Sequence, residues 1–140
     1  MNEAVLFKEL ERQTLARDKQ LKKLKELASR LNNNEVDYEV VKDYVGRVSK
    51  SRETLMKRLK KLNEIEFTEA FIEPVTALLS FTVLVAVNVE EEALIEIKNY
   101  ALSKGLSEDV EYFNNELSNV KSLSDEAEKI LNKINVMRKH

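Results

Sequence analysis

The chain has 140 residues, of which 34% are charged and 43% hydrophobic, and it contains two glycines, one proline and no cysteine. A β-sandwich or barrel needs turn residues about every 8–12 positions, so this composition excludes one. The absence of cysteine excludes disulfides, thiolate metal sites and cysteine nucleophiles. The N-terminal residues lack the basic start and apolar core of a signal peptide, so we expect an intracellular, soluble protein.

The net charge of −2 conceals an uneven distribution along the chain. Residues 1–63 carry 16 basic and 10 acidic residues (net +6), whereas residues 64–140 carry 7 and 15 (net −8). One interpretation is that a basic half and an acidic half lie against each other. The other is that the surface is simply decorated unevenly.

The first two predicted helices cover residues 2–31 and 35–62. Their apolar residues recur at helical spacing, and a run of three asparagines, Asn32 to Asn34, separates them. Asparagine accepts the left-handed conformation that ends a helix and also caps the start of the next. The apolar residues of each helix form a stripe along one side of it, and the stripe of the first helix is interrupted around Arg17 and Asp18. Arg52 is assigned to the solvated side of the second helix. The stripes contain Leu6, Leu10, Leu21, Leu24, Leu27, Ala28 and Leu31, then Val41, Tyr44 or Val45, Val48, Leu55, Leu59 and Leu62.

The third predicted helix covers residues 74–103. Pro74 suits its first turn, because the N–H that proline lacks would have no intrahelical partner there. No charged residue occurs from Pro74 to Val89. After Val89 the predicted helix becomes amphipathic, and it ends near Gly105.

The fourth predicted helix covers residues 108–137 and has the most regular stripe. Its steps alternate between three and four, the spacing of a bundle seam. We therefore expect one all-α domain over residues 1–140, an antiparallel up-down-up-down four-helix bundle with short loops and coiled-coil-like packing. The stripe contains Val110, Phe113, Leu117, Val120, Ser124, Ala127, Leu131 and Ile134.

The charge-free segment from Pro74 to Val89 allows four interpretations. A helix that is apolar on every side is buried on every side, and a second subunit or another protein is the favoured cover. The segment is short for a membrane span, which needs about 20 predominantly apolar residues, and its β-branched residues also suit a strand. The fourth interpretation is a helix covered entirely within the monomer. The candidate interface residues are Leu79, Val83, Val85 and Ala86.

No catalytic, cofactor-binding or metal-binding residues are predicted. The only histidine, His140, is the last residue, so histidine-based catalysis and the Glu-x-x-His sites of di-iron bundles are excluded. Glu66, Glu69 and Glu73 share a helical spacing, but acids at a helix start are a simpler interpretation than a magnesium site.

We therefore expect a non-enzymatic protein–protein interaction or assembly module that self-associates, as a homodimer, through its apolar third helix, or that binds another protein there. One alternative is a nucleic-acid-binding regulatory protein that uses the basic N-terminal hairpin. Another is membrane association through residues 70–89. The candidate basic patch contains Lys22, Lys23, Lys57, Arg58, Lys60 and Lys61, and no aromatic residue for base stacking is interleaved with it.

Overall fold

The computed structural model describes residues 2–138, and over that range it is all-helical, as predicted. There are four helices: α1 (Glu3–Asn32), α2 (Tyr38–Glu64), α3 (Glu69–Ser103) and α4 (Ser107–Arg138). His140 lies outside the described residues.

The turns occur where the sequence predicted them. α1 ends at Asn32, and Asn34 adopts the left-handed conformation with φ of 57°. Gly105 does the same with φ of 70° just after α3. Asparagine and glycine are the residues that tolerate this conformation best. At the start of α1, Asn2 Oδ1 accepts a hydrogen bond of 2.9 Å from the backbone N–H of Val5.

α3 begins five residues earlier than predicted, at Glu69, and Pro74 lies inside the helix instead of in its first turn. The start is fixed from outside, because the Glu3 carboxylate accepts hydrogen bonds from the backbone N–H and the hydroxyl of Thr68, at 2.7 and 2.9 Å. Proline removes one backbone bond, to the carbonyl of Ala70. Ala70 is exposed, so that carbonyl is on the side of the helix nearest to water.

The middle of α3 contains a π-helical turn, Thr82–Ala86, between two α-helical stretches, Glu69–Phe81 and Val87–Ser103. The backbone N–H of Val87 bonds the carbonyl of Thr82, five residues back. Such a turn accommodates one extra residue. It keeps the buried positions before and after it on the same side of the helix. The segment predicted as a possible strand, Phe81 to Val89, is therefore helical.

The helices do not all contact their sequence neighbours. α1 packs against α2 and α3, and α4 packs against α2 and α3, whereas the backbones of α2 and α3, as far as residues 2–138 describe them, have no Cα atoms within 8 Å of each other. The loop between α2 and α3 thus joins two helices on opposite sides of the core. The N-terminal ends of α1 and α3 meet through Glu3 and Thr68, whereas Arg138 at the end of α4 pairs with Glu73 near the start of α3.

The buried apolar residues form two clusters, one toward each end of the molecule. All the predicted stripe residues of α1 are in them, and so are those of α2 with Val45 as the buried choice. Val110, the first residue of the predicted α4 stripe, is only partly buried. The stripe is also wrong at three later places, because Leu117, Ser124 and Leu131 are only partly buried. The residues one position earlier take their places in the core, and these are Glu116, Leu123 and Ile130.

Candidate functional site

A layer of four buried charged residues crosses the core of the molecule. Each helix contributes one residue: Arg17 from α1, Arg52 from α2, Glu90 from α3 and Glu116 from α4. None is more than 6% exposed, and Glu90 is completely buried. A buried charge is tolerated only when it is paired and hydrogen-bonded. The layer balances two positive and two negative charges.

The hydrogen bonds of this layer form a continuous chain. Arg17 Nη2 donates to Glu90 Oε1 at 2.7 Å, and Arg52 Nε donates to Glu90 Oε2 at 3.0 Å. Arg52 Nη1 donates to Glu116 Oε2 at 2.7 Å. Ser49 donates to the other Glu116 oxygen at 3.1 Å, and the Arg17 Nε donates to Ser51 Oγ at 3.2 Å.

The electrostatics of the layer favour the charged form of Arg52. Burial on its own would lower the pKa of Arg52, but the Glu90 and Glu116 carboxylates raise that pKa above its ordinary value. Arg52 Nη2 lies 3.0 Å from Glu90 Oε2 but is not aligned for a hydrogen bond. The arrangement is an ion-pair network that fixes all four helices relative to one another.

The assignment of Arg52 to the solvated side of α2 is therefore wrong, since the residue is 3% exposed. A signal was present in the sequence. Arg17 stands four positions before Leu21, and Arg52 stands four positions after Val48. Both arginines therefore occupy positions where the apolar stripes of α1 and α2 require a core residue. Both arginines belong to the basic half of the chain and both glutamates to the acidic half, so this contact joins the two halves as one interpretation of the charge pattern expects.

A second contact between the basic and acidic halves of the chain lies at the N-terminal ends of α2 and α4. Asp109 accepts hydrogen bonds from the Tyr38 hydroxyl at 2.7 Å and from Lys42 Nζ at 3.0 Å. These two donors lower the pKa of Asp109. Burial, followed by the hydrogen bond to Asp109, raises the pKa of Tyr38 far above its ordinary value.

The outer side of α3 is an exposed apolar face. Leu84 is 70% exposed and Val85 44% exposed, and both belong to the π-helical turn. Ala77 is also exposed, and Phe81 is partly buried beside them. We call these four residues the α3 face. π-helical turns within α-helices are frequent at functional sites, and here the turn carries the most exposed leucine of the helix.

The predicted interface residues divide between the core and the surface. Leu79 is fully buried and Ala86 is 5% exposed, so both belong to the core of the monomer and the prediction that they line an open face is wrong for them. Val83 is partly buried. Val85 is the one of the four on the exposed side. The error has a local cause, since a helix that is apolar all round gives no indication of which side its own bundle covers.

A groove runs along α3 where it meets α4. It consists of two adjoining depressions of about 570 and 270 Å³ that share Val83 and Glu128. Leu84 and Val87 belong to its apolar lining, and Lys98 lines the end nearer to the C-terminus of α3. We call this the α3/α4 groove.

The predicted basic patch is not assembled into one surface. Lys22 and Lys23 follow Leu21 in one apolar cluster, whereas Lys57 to Lys61 accompany Leu59 in the other. Several members already have partners: Lys22 pairs with Asp18 at 3.0 Å, Lys23 lies 5.2 Å from the Tyr44 ring, and Arg58 lies 3.6 Å from Glu9. The exposed lysines of α2 that complete the predicted patch are Lys57, Lys60 and Lys61.

Among residues 2–138, no three or more histidine, aspartate or glutamate side chains are grouped so that they could hold a metal ion. One helix, Glu69–Ser103, is long and apolar enough to cross a membrane by length and composition alone. Only 28% of its most apolar window is buried inside the protein, and the rest of that window is partly buried or exposed.

Comparison with known proteins finds no match to any family model, curated protein or solved structure.

Proposed function

We propose that this chain is a non-enzymatic assembly module: an antiparallel four-helix bundle that another protein chain meets on the α3 face. The observation that carries the proposal is Leu84, 70% exposed in the middle of 16 successive residues without a charge. Apolar surface that is contiguous and rimmed by polar residues marks protein–protein or membrane contacts. The groove beside the face gives a partner helix a place to lie.

The buried charged layer supports the same proposal. It ties α3 to α1 and α2 through Glu90, which lies only six residues beyond Leu84, and Arg52 extends the network to α4. A helix held in this way presents its outer side at a fixed angle, and preorganisation of a surface lowers the entropic cost of binding. The layer therefore positions the α3 face.

Leu84→Glu tests the proposal, with Leu15→Glu as the matched control. Leu15 is 61% exposed on α1, so both substitutions place a charge on an exposed leucine of a helix. We expect wild type and Leu15→Glu to associate in light scattering at tens of micromolar, and Leu84→Glu to be monomeric with an unchanged melting temperature. A wild-type protein that is strictly monomeric, or a Leu84→Glu variant that still associates, would overturn the proposal.

Membrane association is the second candidate, and the specific observation that favours it is the apolar window of Glu69–Ser103. If the α3 face binds lipid, the protein should float with liposomes and Leu84→Glu should abolish flotation. The charged layer argues against a span, because removing α3 from the bundle would leave Arg17 and Arg52 without the Glu90 carboxylate. Flotation without association in solution would replace the protein partner by a lipid surface.

A further inference from the structure

The partner on the α3 face can be identified more closely from the charges along the groove. We infer that it is a second copy of this chain, paired antiparallel across α3 with the two-fold axis at Leu84. The inference rests on the proposed function and adds the partner and its direction to it.

The size of the face shows that the groove takes part. The charge-free segment from Pro74 to Val89 is about 24 Å long at 1.5 Å per residue, and a helix is about 10 Å wide. Such a strip is much smaller than the roughly 800 Å² per partner of a standard interface. The α3/α4 groove, adjoining Leu84, supplies the additional surface.

The two ends of this surface carry opposite charges. Lys98 and Lys121 line the groove toward the C-terminal end of α3. Toward its N-terminal end, Glu69 and Glu73 line another depression between α3 and the end of α4. Glu69 and Lys98 have no ion-pair partner among residues 2–138, so both charges are available to a neighbouring molecule.

Antiparallel pairing brings these opposite charges together. With the axis at Leu84, position 70 of one copy lies level with Lys98 of the other, so Glu69 and Glu73 come near Lys98 at both ends of the dimer. Because the two-fold axis is perpendicular to α3, the α4 helices of the two copies lie on the same side of the interface. Repulsion opposes this pairing at the centre of the dimer, where the Glu128 carboxylates of the two copies approach each other.

Parallel pairing gives the opposite result. A parallel two-fold dimer sets every residue level with its own copy, so Glu91 would lie level with Glu91 and Lys98 level with Lys98. Like charges placed directly opposite one another oppose association. In the antiparallel dimer Glu91 instead lies level with Ala77, at the apolar part of the α3 face.

Single-cysteine variants distinguish the arrangements, because the chain has no cysteine of its own. We would treat Leu84→Cys, Ala77→Cys and Glu91→Cys with a short bis-maleimide. Leu84→Cys should cross-link alone. Ala77→Cys and Glu91→Cys should cross-link only when mixed, because positions 77 and 91 are about 21 Å apart along the helix.

Charge reversal provides the second measurement. Lys98→Glu should weaken dimerisation about tenfold, and the double variant Glu69→Lys/Lys98→Glu should restore it, since two exposed ion pairs together contribute on this scale. Efficient cross-linking of Glu91→Cys alone, or no rescue by the double variant, would overturn the antiparallel register while leaving the proposed function intact. A monomer in light scattering would overturn both.

Discussion

The Glu90 carboxylate accepts hydrogen bonds from two buried guanidinium groups, and replacing it by glutamine tests how the charged layer contributes to stability. Its two oxygens have separate donors, Arg17 on one side and Arg52 on the other. A glutamine amide has one oxygen and one N–H₂ group. Whichever way it is turned, its nitrogen faces a guanidinium group, so Glu90→Gln removes a negative charge and sets two donors against each other.

The expected loss follows from the burial of the pair. Arg17 and Glu90 side chains are 4% and 0% exposed, so water cannot replace the lost partner. Removing one member of a buried ion pair costs about 3–5 kcal/mol, a large part of the roughly 5–15 kcal/mol by which domains are stable. The side-chain volume is nearly unchanged, so no cavity contributes to this loss.

Urea unfolding followed by circular dichroism, at one protein concentration for all variants, measures the effect. Glu92→Gln is the matched control, an exposed glutamate two residues away, and we expect its free energy of unfolding to change by less than about 0.5 kcal/mol. A loss below about 1 kcal/mol for Glu90→Gln would refute the reasoning. Replacing all four layer residues by Met and Leu should instead be neutral or stabilising by about 1–4 kcal/mol, because no uncompensated charge remains.

Two more predictions follow from local features of the fold. Deleting Val85 from the π-helical turn should leave a regular α-helix whose two halves keep their orientation, with a melting temperature close to wild type. Deleting Ile95, which is also exposed, should instead rotate the rest of α3 by about 100° and lower the melting temperature markedly. Equal decreases in melting temperature for the two deletions would show that the turn holds no extra residue. Because the folded-state pKa of Asp109 is lowered, its stabilisation is present above its ordinary value of 3.8 and is lost as the pH falls through the folded value. Asp109→Asn should therefore reduce the free energy of unfolding by about 1 kcal/mol at neutral pH and much less at about pH 2, and urea titrations showing the same difference at both would contradict this assignment.

Local signals determined the helices and most of their buried sides. The spacing of leucines and valines in α1 and α2 is a property of each segment alone, and those residues are the buried ones in the structure. Asn34 and Gly105 ended their helices because their own backbone preferences suit a positive φ. The absence of charge from Pro74 to Val89 predicted that α3 would be unusually apolar.

Tertiary structure decided what those local patterns left open. Whether Arg52 faces water or the core depends on Glu90 and Glu116, which are 38 and 64 residues away in the chain. The ion pair between Arg52 and Glu116 accompanies an orientation of α4 in which Glu116 faces inward and Leu117 is only partly buried. Within α3, the neighbouring helices buried Leu79 and left Leu84 exposed. A helix apolar on all sides cannot specify its own orientation, because burial on any side gains similar free energy; the charged layer supplies that orientation.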